Sequence, residues 1–187
     1  SALLAARDPG IGKRLFDRAQ AEYWVGFVSF QQGRYDDAEP WWLRYRDSAR
    51  QLATLDRSNH DWRMELAYAQ HNLAALDEKR GRFAAAEAAM QAALSLQEGW
   101  LRERPADATL RWSVITATSW LGSLALQQGR LAQAQQRFEQ QLEQLQHLHR
   151  AEPDNMQWNE ALLDGWLLLT GVQAARSTYL PTLSFSA

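Results

Sequence analysis

A glycine-arginine segment that occurs three times at a constant interval constrains the fold more than any other feature of this chain. Gly33, Gly81 and Gly129 lie 48 residues apart, and each is followed by arginine and then an apolar residue. Each copy has an alanine five positions after its glycine and a large apolar residue four positions further on. This arrangement is typical of a helix end, a tight turn and a new helix. We therefore predict repeated helical hairpins.

A second break recurs between the glycine turns. Pro9, Pro105 and Pro153 occupy one phase of the repeat, and the helix-capping residues Ser58 and Asn59 mark the remaining position of that phase. Asp107, which follows Pro105, is a further capping residue. Each repeat is thereby divided into two helices of about 20 residues. Their apolar residues recur at steps of three and four, and no stretch alternates with a period of two. We expect an all-α chain without a sheet.

The two kinds of break define the predicted domain organisation. Repeat units are expected at residues 10–57, 58–105 and 106–153, with a partial unit at 154–176. Together they form one domain over residues 1–176 with about seven helices, followed by a C-terminal tail at 177–187.

A small residue precedes each turn glycine by seven positions: Gly26, Ala74 and Gly122. We expect this residue to let the two helices of a hairpin approach closely, while large residues of the second helix fill the groove between neighbours. A single hairpin cannot bury both of its faces, so neighbouring hairpins have to stack.

The third copy resembles the tetratricopeptide repeat, through Leu121-Gly122, Gly129 and Ala134 followed by Phe138. The family repeat usually has about 34 residues and a tryptophan where Thr118 stands, so we interpret this chain as a variant whose helices are each about two turns longer. The resemblance implies an all-α, right-handed solenoid of antiparallel hairpins. It also implies a non-catalytic scaffold that binds a protein or peptide partner on its concave face. Separately, the composition, with only Lys13 and Lys79 among 20 basic residues, favours a bacterial source, and the start at Ser1 favours a piece of a larger protein.

The groove positions of the family fall on the first helix of each repeat. The partner contacts that we predict from them are Tyr23, Phe27, Phe30, Tyr68, His71, Asn72, Ser119 and Ser123. Only Asn72 matches the residues with which some family members clamp a terminal carboxylate, so we do not expect that mode. The aromatic first repeat suits a partner helix or an apolar peptide anchor. The alternative that the longer helices close the groove, so that these residues pack among themselves, stays open.

The partial fourth unit favours a different function. Trp166-Leu167-Leu168-Leu169 is apolar on every face of its predicted helix, so another segment or another chain should cover it. The alternative function is therefore a structural segment that forms a homo-oligomer through residues 158–169. Leu168→Glu would then change the size of the protein in solution.

Composition and motifs exclude several other classes of protein. A net charge of −2 does not favour binding to nucleic acid or to an anionic membrane surface. No apolar run approaches the roughly 20 residues of a membrane span, and the chain has no cysteine for a disulfide or a thiolate metal site. The residues do not determine the compartment, and we favour the cytoplasm.

No motif indicates catalysis or a bound cofactor. Gly10-Ile11-Gly12-Lys13 lacks the first glycine and the final Ser or Thr of a phosphate-binding loop, so we expect a helix start there. Glu143 and His147 share one helix face but have no third ligand nearby, so we predict no metal site. No nucleophile motif is present, and we expect neither enzymatic activity nor a cofactor.

Overall fold

The computed structural model of this chain describes residues 10–179. Within that range it contains seven α-helices and no β-strand, which confirms the all-α prediction. The helices are α1 (Gly10–Gln31), α2 (Tyr35–Leu55), α3 (His60–Lys79), α4 (Phe83–Glu103), α5 (Ala108–Gln127), α6 (Leu131–Ala151) and α7 (Met156–Tyr179). The last helix passes the predicted boundary at 176, and the remainder of the predicted tail, 180–187, lies outside the described residues.

The chain packs as two compact units that divide between Gly99 and Trp100, within α4. In the first unit α1 packs against α2 and α2 packs against α3, and in the second unit α5 packs against α6 and α6 against α7. Such consecutive packing of neighbours within each unit is expected of a helical repeat. The assignment of residues 1–176 to a single solenoid stays a prediction.

The three turn glycines share one backbone conformation. Their φ angles are 73° at Gly33, 69° at Gly81 and 70° at Gly129, all in the left-handed region. The amide of the arginine after each glycine donates to the carbonyl five residues earlier, at 2.8 to 2.9 Å. This is the Schellman helix ending, in which a residue other than glycine costs about 1–2 kcal/mol. The constant interval between the glycines therefore marks equivalent turns.

Small residues before the turns permit close helix contact, as the sequence predicts. A β-carbon added at Gly26 would lie 2.4 Å from Cδ1 of Trp42, and one added at Gly122 would lie 2.6 Å from Cε1 of Phe138. Both aromatic side chains are fully buried. Each glycine therefore provides the space into which the aromatic ring of the following helix packs, which confirms the predicted pairing at these two hairpins.

Predicted caps begin α3 and α5, the first helices of the second and third predicted repeats. The side-chain oxygen of Asn59 accepts a hydrogen bond from the Trp62 amide at 3.1 Å, and Asp107 accepts one from the Leu110 amide at 2.9 Å. Such caps satisfy an amide that has no partner within the helix. The Asn59 cap fixes where α3 begins, and α3 carries most of the candidate site.

Candidate functional site

A pocket in the first unit lies between α1 and α3, with a side chain of α2 in its lining. Its volume is about 410 Å³, within the range of pockets that bind organic ligands. The lining consists of Gln20 and Tyr23 from α1, Tyr45 from α2, and Glu65, Tyr68, His71 and Asn72 from α3. Residues of two successive repeats therefore form one concavity.

Helix periodicity explains why these side chains of α3 share the pocket. Glu65, Tyr68 and Asn72 are spaced by three and four residues, which places them on one face of the helix. The adjoining side of α3 carries Leu73 and Leu76, which pack in the core between α1, α2 and α3. Burial of that apolar stripe thus orients the polar face of α3 toward the pocket.

Glu65 is the buried charged group of this site, with 9% of its surface exposed. The Tyr45 hydroxyl donates a hydrogen bond of 2.5 Å to Oε2 of Glu65, and Nε2 of Gln20 donates one of 3.0 Å to the same oxygen. Burial raises the pKa of Glu65 above its usual value, although both hydrogen bonds lower it. Burial and the neighbouring Glu65 together raise the pKa of Tyr45, which therefore stays protonated.

His71 contributes a ring nitrogen without a partner. Its Nε2 is buried and has no hydrogen-bond partner among the residues that the structure describes. Burial lowers the pKa of His71, so the neutral imidazole is favoured near neutral pH. A buried polar atom without a partner is uncommon in folded proteins. Here it lies in the lining of a pocket, where a ligand can provide the missing hydrogen bond.

Two tyrosine rings give the pocket an aromatic surface. The ring of Tyr23 lies 5.6 Å from that of Tyr45, centroid to centroid, and 5.7 Å from that of Phe27. Tyr68 is 47% exposed, so much of its ring remains open to contact. The pocket therefore combines a fixed aromatic side on α1 with an accessible aromatic side chain on α3.

The structure brings together four of the predicted contact residues: Tyr23, Tyr68, His71 and Asn72. Phe27 and Phe30 are partly buried against the core of the first unit and do not line the pocket. Ser119 and Ser123 are half-buried on α5, in the second unit. The role of all eight residues in binding stays a prediction.

Two lining residues, Glu65 and Tyr45, were missed by sequence reasoning. Glu65 lies one helical turn before Tyr68, so extending the groove face by one turn would have included it. Tyr45 belongs to the apolar stripe of α2, and its spacing does not distinguish a core position from a position beneath a pocket. The seventh lining residue, Gln20, lies one turn before Tyr23 on α1 and was not among the eight predicted contacts.

A separate apolar surface lies on α7 in the second unit. Leu163, Trp166 and Leu167 are 62%, 49% and 63% exposed, and their spacing places them in one row along the helix. Leu168 is instead partly buried against the core formed by α5, α6 and α7. The row is therefore distinct from the side of α7 that packs within its unit.

The described range contains neither a cluster of possible metal ligands nor a helix suited to spanning a membrane. Among residues 10–179, no group of three or more histidine, aspartate or glutamate side chains is arranged to hold a metal ion. None of the helices in that range has the combination of length and apolar character that crossing a membrane requires.

Comparison with known families finds the tetratricopeptide repeat at residues 115–140. This range covers most of α5, the turn at Gly129 and the first part of α6, including Gly122 and Phe138. The match supports the resemblance to that family and suggests a protein–protein interaction module. Comparison with curated proteins found no match.

Proposed function

We propose that this chain is a protein–protein interaction module that holds a peptide or a helix of a partner protein against α1 and α3. The observation that carries the proposal is the pocket, which is lined by Tyr23, Tyr68, His71 and Asn72 from two successive repeats. A surface shared between neighbouring repeats is how helical-repeat proteins build an extended binding face.

Tyr68 is the side chain that we expect to contribute most to binding. Tyrosine is enriched among the residues that dominate interface energies, and this one is 47% exposed beside a pocket. It stands on α3, whose apolar side is buried in the core, so binding does not have to order its backbone.

Peptides selected from a random display library with the purified chain as bait provide the probe. Their affinity is then measured by fluorescence anisotropy for the wild type and for Tyr68→Ala. We expect Tyr68→Ala to weaken binding about 30-fold or more, the effect of a dominant interface residue. Circular dichroism checks that the variant remains folded.

Trp166→Ala is the matched control, because Trp166 is an aromatic residue of similar exposure in the other unit. It should leave the affinity unchanged. Binding that is insensitive to Tyr68→Ala but is lost with Trp166→Ala would contradict the proposed site.

The alternative function is self-association through α7, and the exposed row of Leu163, Trp166 and Leu167 favours it. A second copy is the proposed occupant, because the same apolar row on both chains can form a two-fold symmetric contact. Leu167→Glu is a better test than Leu168→Glu, because Leu168 is partly buried in the core and its replacement would disturb folding.

Sedimentation velocity over a range of concentrations tests this alternative. Self-association predicts that the wild type sediments faster than a monomer and that Leu167→Glu returns it to monomer size. Gln157→Glu, which adds the same charge at another exposed position of α7, should have no effect. A wild type that remains monomeric at all concentrations rules the alternative out.

The proposal assigns no catalytic step to the chain. The general character of tetratricopeptide modules and the absence of a nucleophile motif in the sequence support a binding role. Native mass spectrometry that detects a bound metal ion or cofactor in the purified protein would contradict it.

A further inference from the structure

We infer that the pocket between α1 and α3 recognises a positively charged side chain, arginine or lysine, of the partner polypeptide. The inference rests on the proposed function and specifies the chemistry of the group that enters the site. Four properties of the lining carry it: its charge, a free carboxylate oxygen, its aromatic rings and the nitrogen of His71.

The charge of the lining is negative. Glu65 is the carboxylate among the seven lining residues, and none of the seven is lysine or arginine. Asp61, one turn earlier on α3, adds a second negative charge that acts on Glu65. A carboxylate ligand would be repelled here, whereas a cation would compensate the buried charge of Glu65.

The hydrogen bonds of Glu65 leave one oxygen available. Gln20 and Tyr45 both donate to Oε2, and Oε1 accepts no hydrogen bond from the residues that the structure describes. An ionised carboxylate can accept about four hydrogen bonds, so an ammonium or guanidinium group would meet an unused acceptor. Hydrogen bonds between two charged groups are about twice as strong as those between neutral groups.

The remaining lining also suits a cation with an aliphatic stem. Tyr23 and Tyr68 present rings of the kind that attract a cation held over their face. Nε2 of a neutral His71 can accept a further hydrogen bond from the incoming group. The volume of about 410 Å³ fits a long side chain better than a single ion.

Affinity for a cation should fall in acid. Protonation of Glu65 removes the attracting charge, and protonation of His71 adds a repelling one, so both changes act in the same direction. Besides these two, the ionisable groups of the pocket and its surroundings are Tyr23, Tyr45, Tyr68 and Asp61. Tyr45 and Tyr68 stay neutral over the acid range, because burial raises the pKa of both side chains.

The experiment uses capped hexapeptide libraries in which one central position is fixed and the others are random. The fixed residue is arginine, lysine, glutamate or citrulline, the neutral isostere of arginine. We expect the arginine library to bind at least about tenfold more tightly than the citrulline library, the effect of one charge-assisted hydrogen bond. Glu65→Gln should reduce this ratio to about one, because glutamine can still accept from Tyr45 but carries no charge.

Glu160→Gln is the matched control, since it removes one negative charge from an exposed position on α7 and should keep the ratio unchanged. Equal binding of arginine and citrulline libraries, or a ratio that Glu65→Gln leaves intact, would overturn the inference. The proposed function would survive that result if Tyr68→Ala still abolished peptide binding. Failure of every library to bind would overturn both.

Competition with free arginine amide separates a polypeptide from a small amine as the source of the charge. We expect the free amine to compete only at concentrations far above those of the peptides, because it makes none of the neighbouring contacts. Equal potency of arginine amide and the arginine library would overturn the assignment to a polypeptide.

Discussion

Replacing Gly122 with alanine should destabilise the second unit through a clash with one side chain. The added β-carbon would lie 2.6 Å from Cε1 and 2.9 Å from Cδ1 of Phe138, whose ring is fully buried. Since carbon atoms in contact need about 3.5–4.0 Å, the ring or the helix has to move by about 1 Å. Overpacking of this kind costs about 1–3 kcal/mol, while alanine gains about 1 kcal/mol over glycine in a helix. The expected net loss is up to about 2 kcal/mol.

Gly171 provides the matched control, because it is also a glycine of a helix in the second unit and no described atom lies within 4 Å of a β-carbon added there. Gly171→Ala should therefore stabilise the protein by about 1 kcal/mol. Urea unfolding should separate the two variants by about 1–3 kcal/mol, the cost of the clash alone. Adding Phe138→Leu to Gly122→Ala should recover part of the loss. If Gly122→Ala stabilised as much as Gly171→Ala, the close contact of α5 with α6 would be refuted.

Four further predictions concern buried polar groups and a helix cap. Gln97→Leu should raise the free energy of unfolding by about 1–3 kcal/mol, because Gln97 is fully buried and neither its Oε1 nor its Nε2 has a partner among the described residues. A lower free energy of unfolding in urea would contradict this. Asp107→Ala should cost about 1 kcal/mol by removing the cap of α5, whereas the exposed Asp154 should tolerate the same change, both measured by thermal melting. Burial raises the pKa of Glu65 above 4.5. The contribution of Glu65 to stability is therefore fully present below pH 4.5 and is lost as the pH rises through its folded-state pKa. The stability of Glu65→Gln relative to the wild type should grow across that window. The pKa of His71 is lowered below 6.5, so its contribution is fully present above pH 6.5 and is lost as the pH falls through the folded-state pKa; His71→Gln should not show this acid loss in denaturation curves.

The elements that sequence reasoning recovered are those that depend on neighbouring residues along the chain. Gly33, Gly81 and Gly129 adopt the left-handed conformation that their positions predict, and Asn59 and Asp107 cap the helices that follow them. These features involve backbone conformations and hydrogen bonds within about one helical turn. Their patterns are therefore visible in a single sequence.

The residues of the pocket were predicted less completely, because the face of a helix on which a residue lies does not specify which other helix that face meets. Tyr23 and Phe27 lie one turn apart on α1 and both pack against the core, yet only Tyr23 also lines the pocket. Which of the two reaches the pocket depends on how α1 packs beside α2 and α3, and that arrangement results from side chains distant in the sequence.

By itself, the amino-acid sequence determined that the described chain forms helices joined by equivalent glycine turns, because local periodicity and turn chemistry suffice for that conclusion. Only the tertiary structure decided that Gln20, Tyr45 and Glu65 meet in one hydrogen-bonded group. These three residues belong to three helices and lie 20 to 45 positions apart. The hydrogen bonds and the burial that shape the site therefore arise only when α1, α2 and α3 pack together.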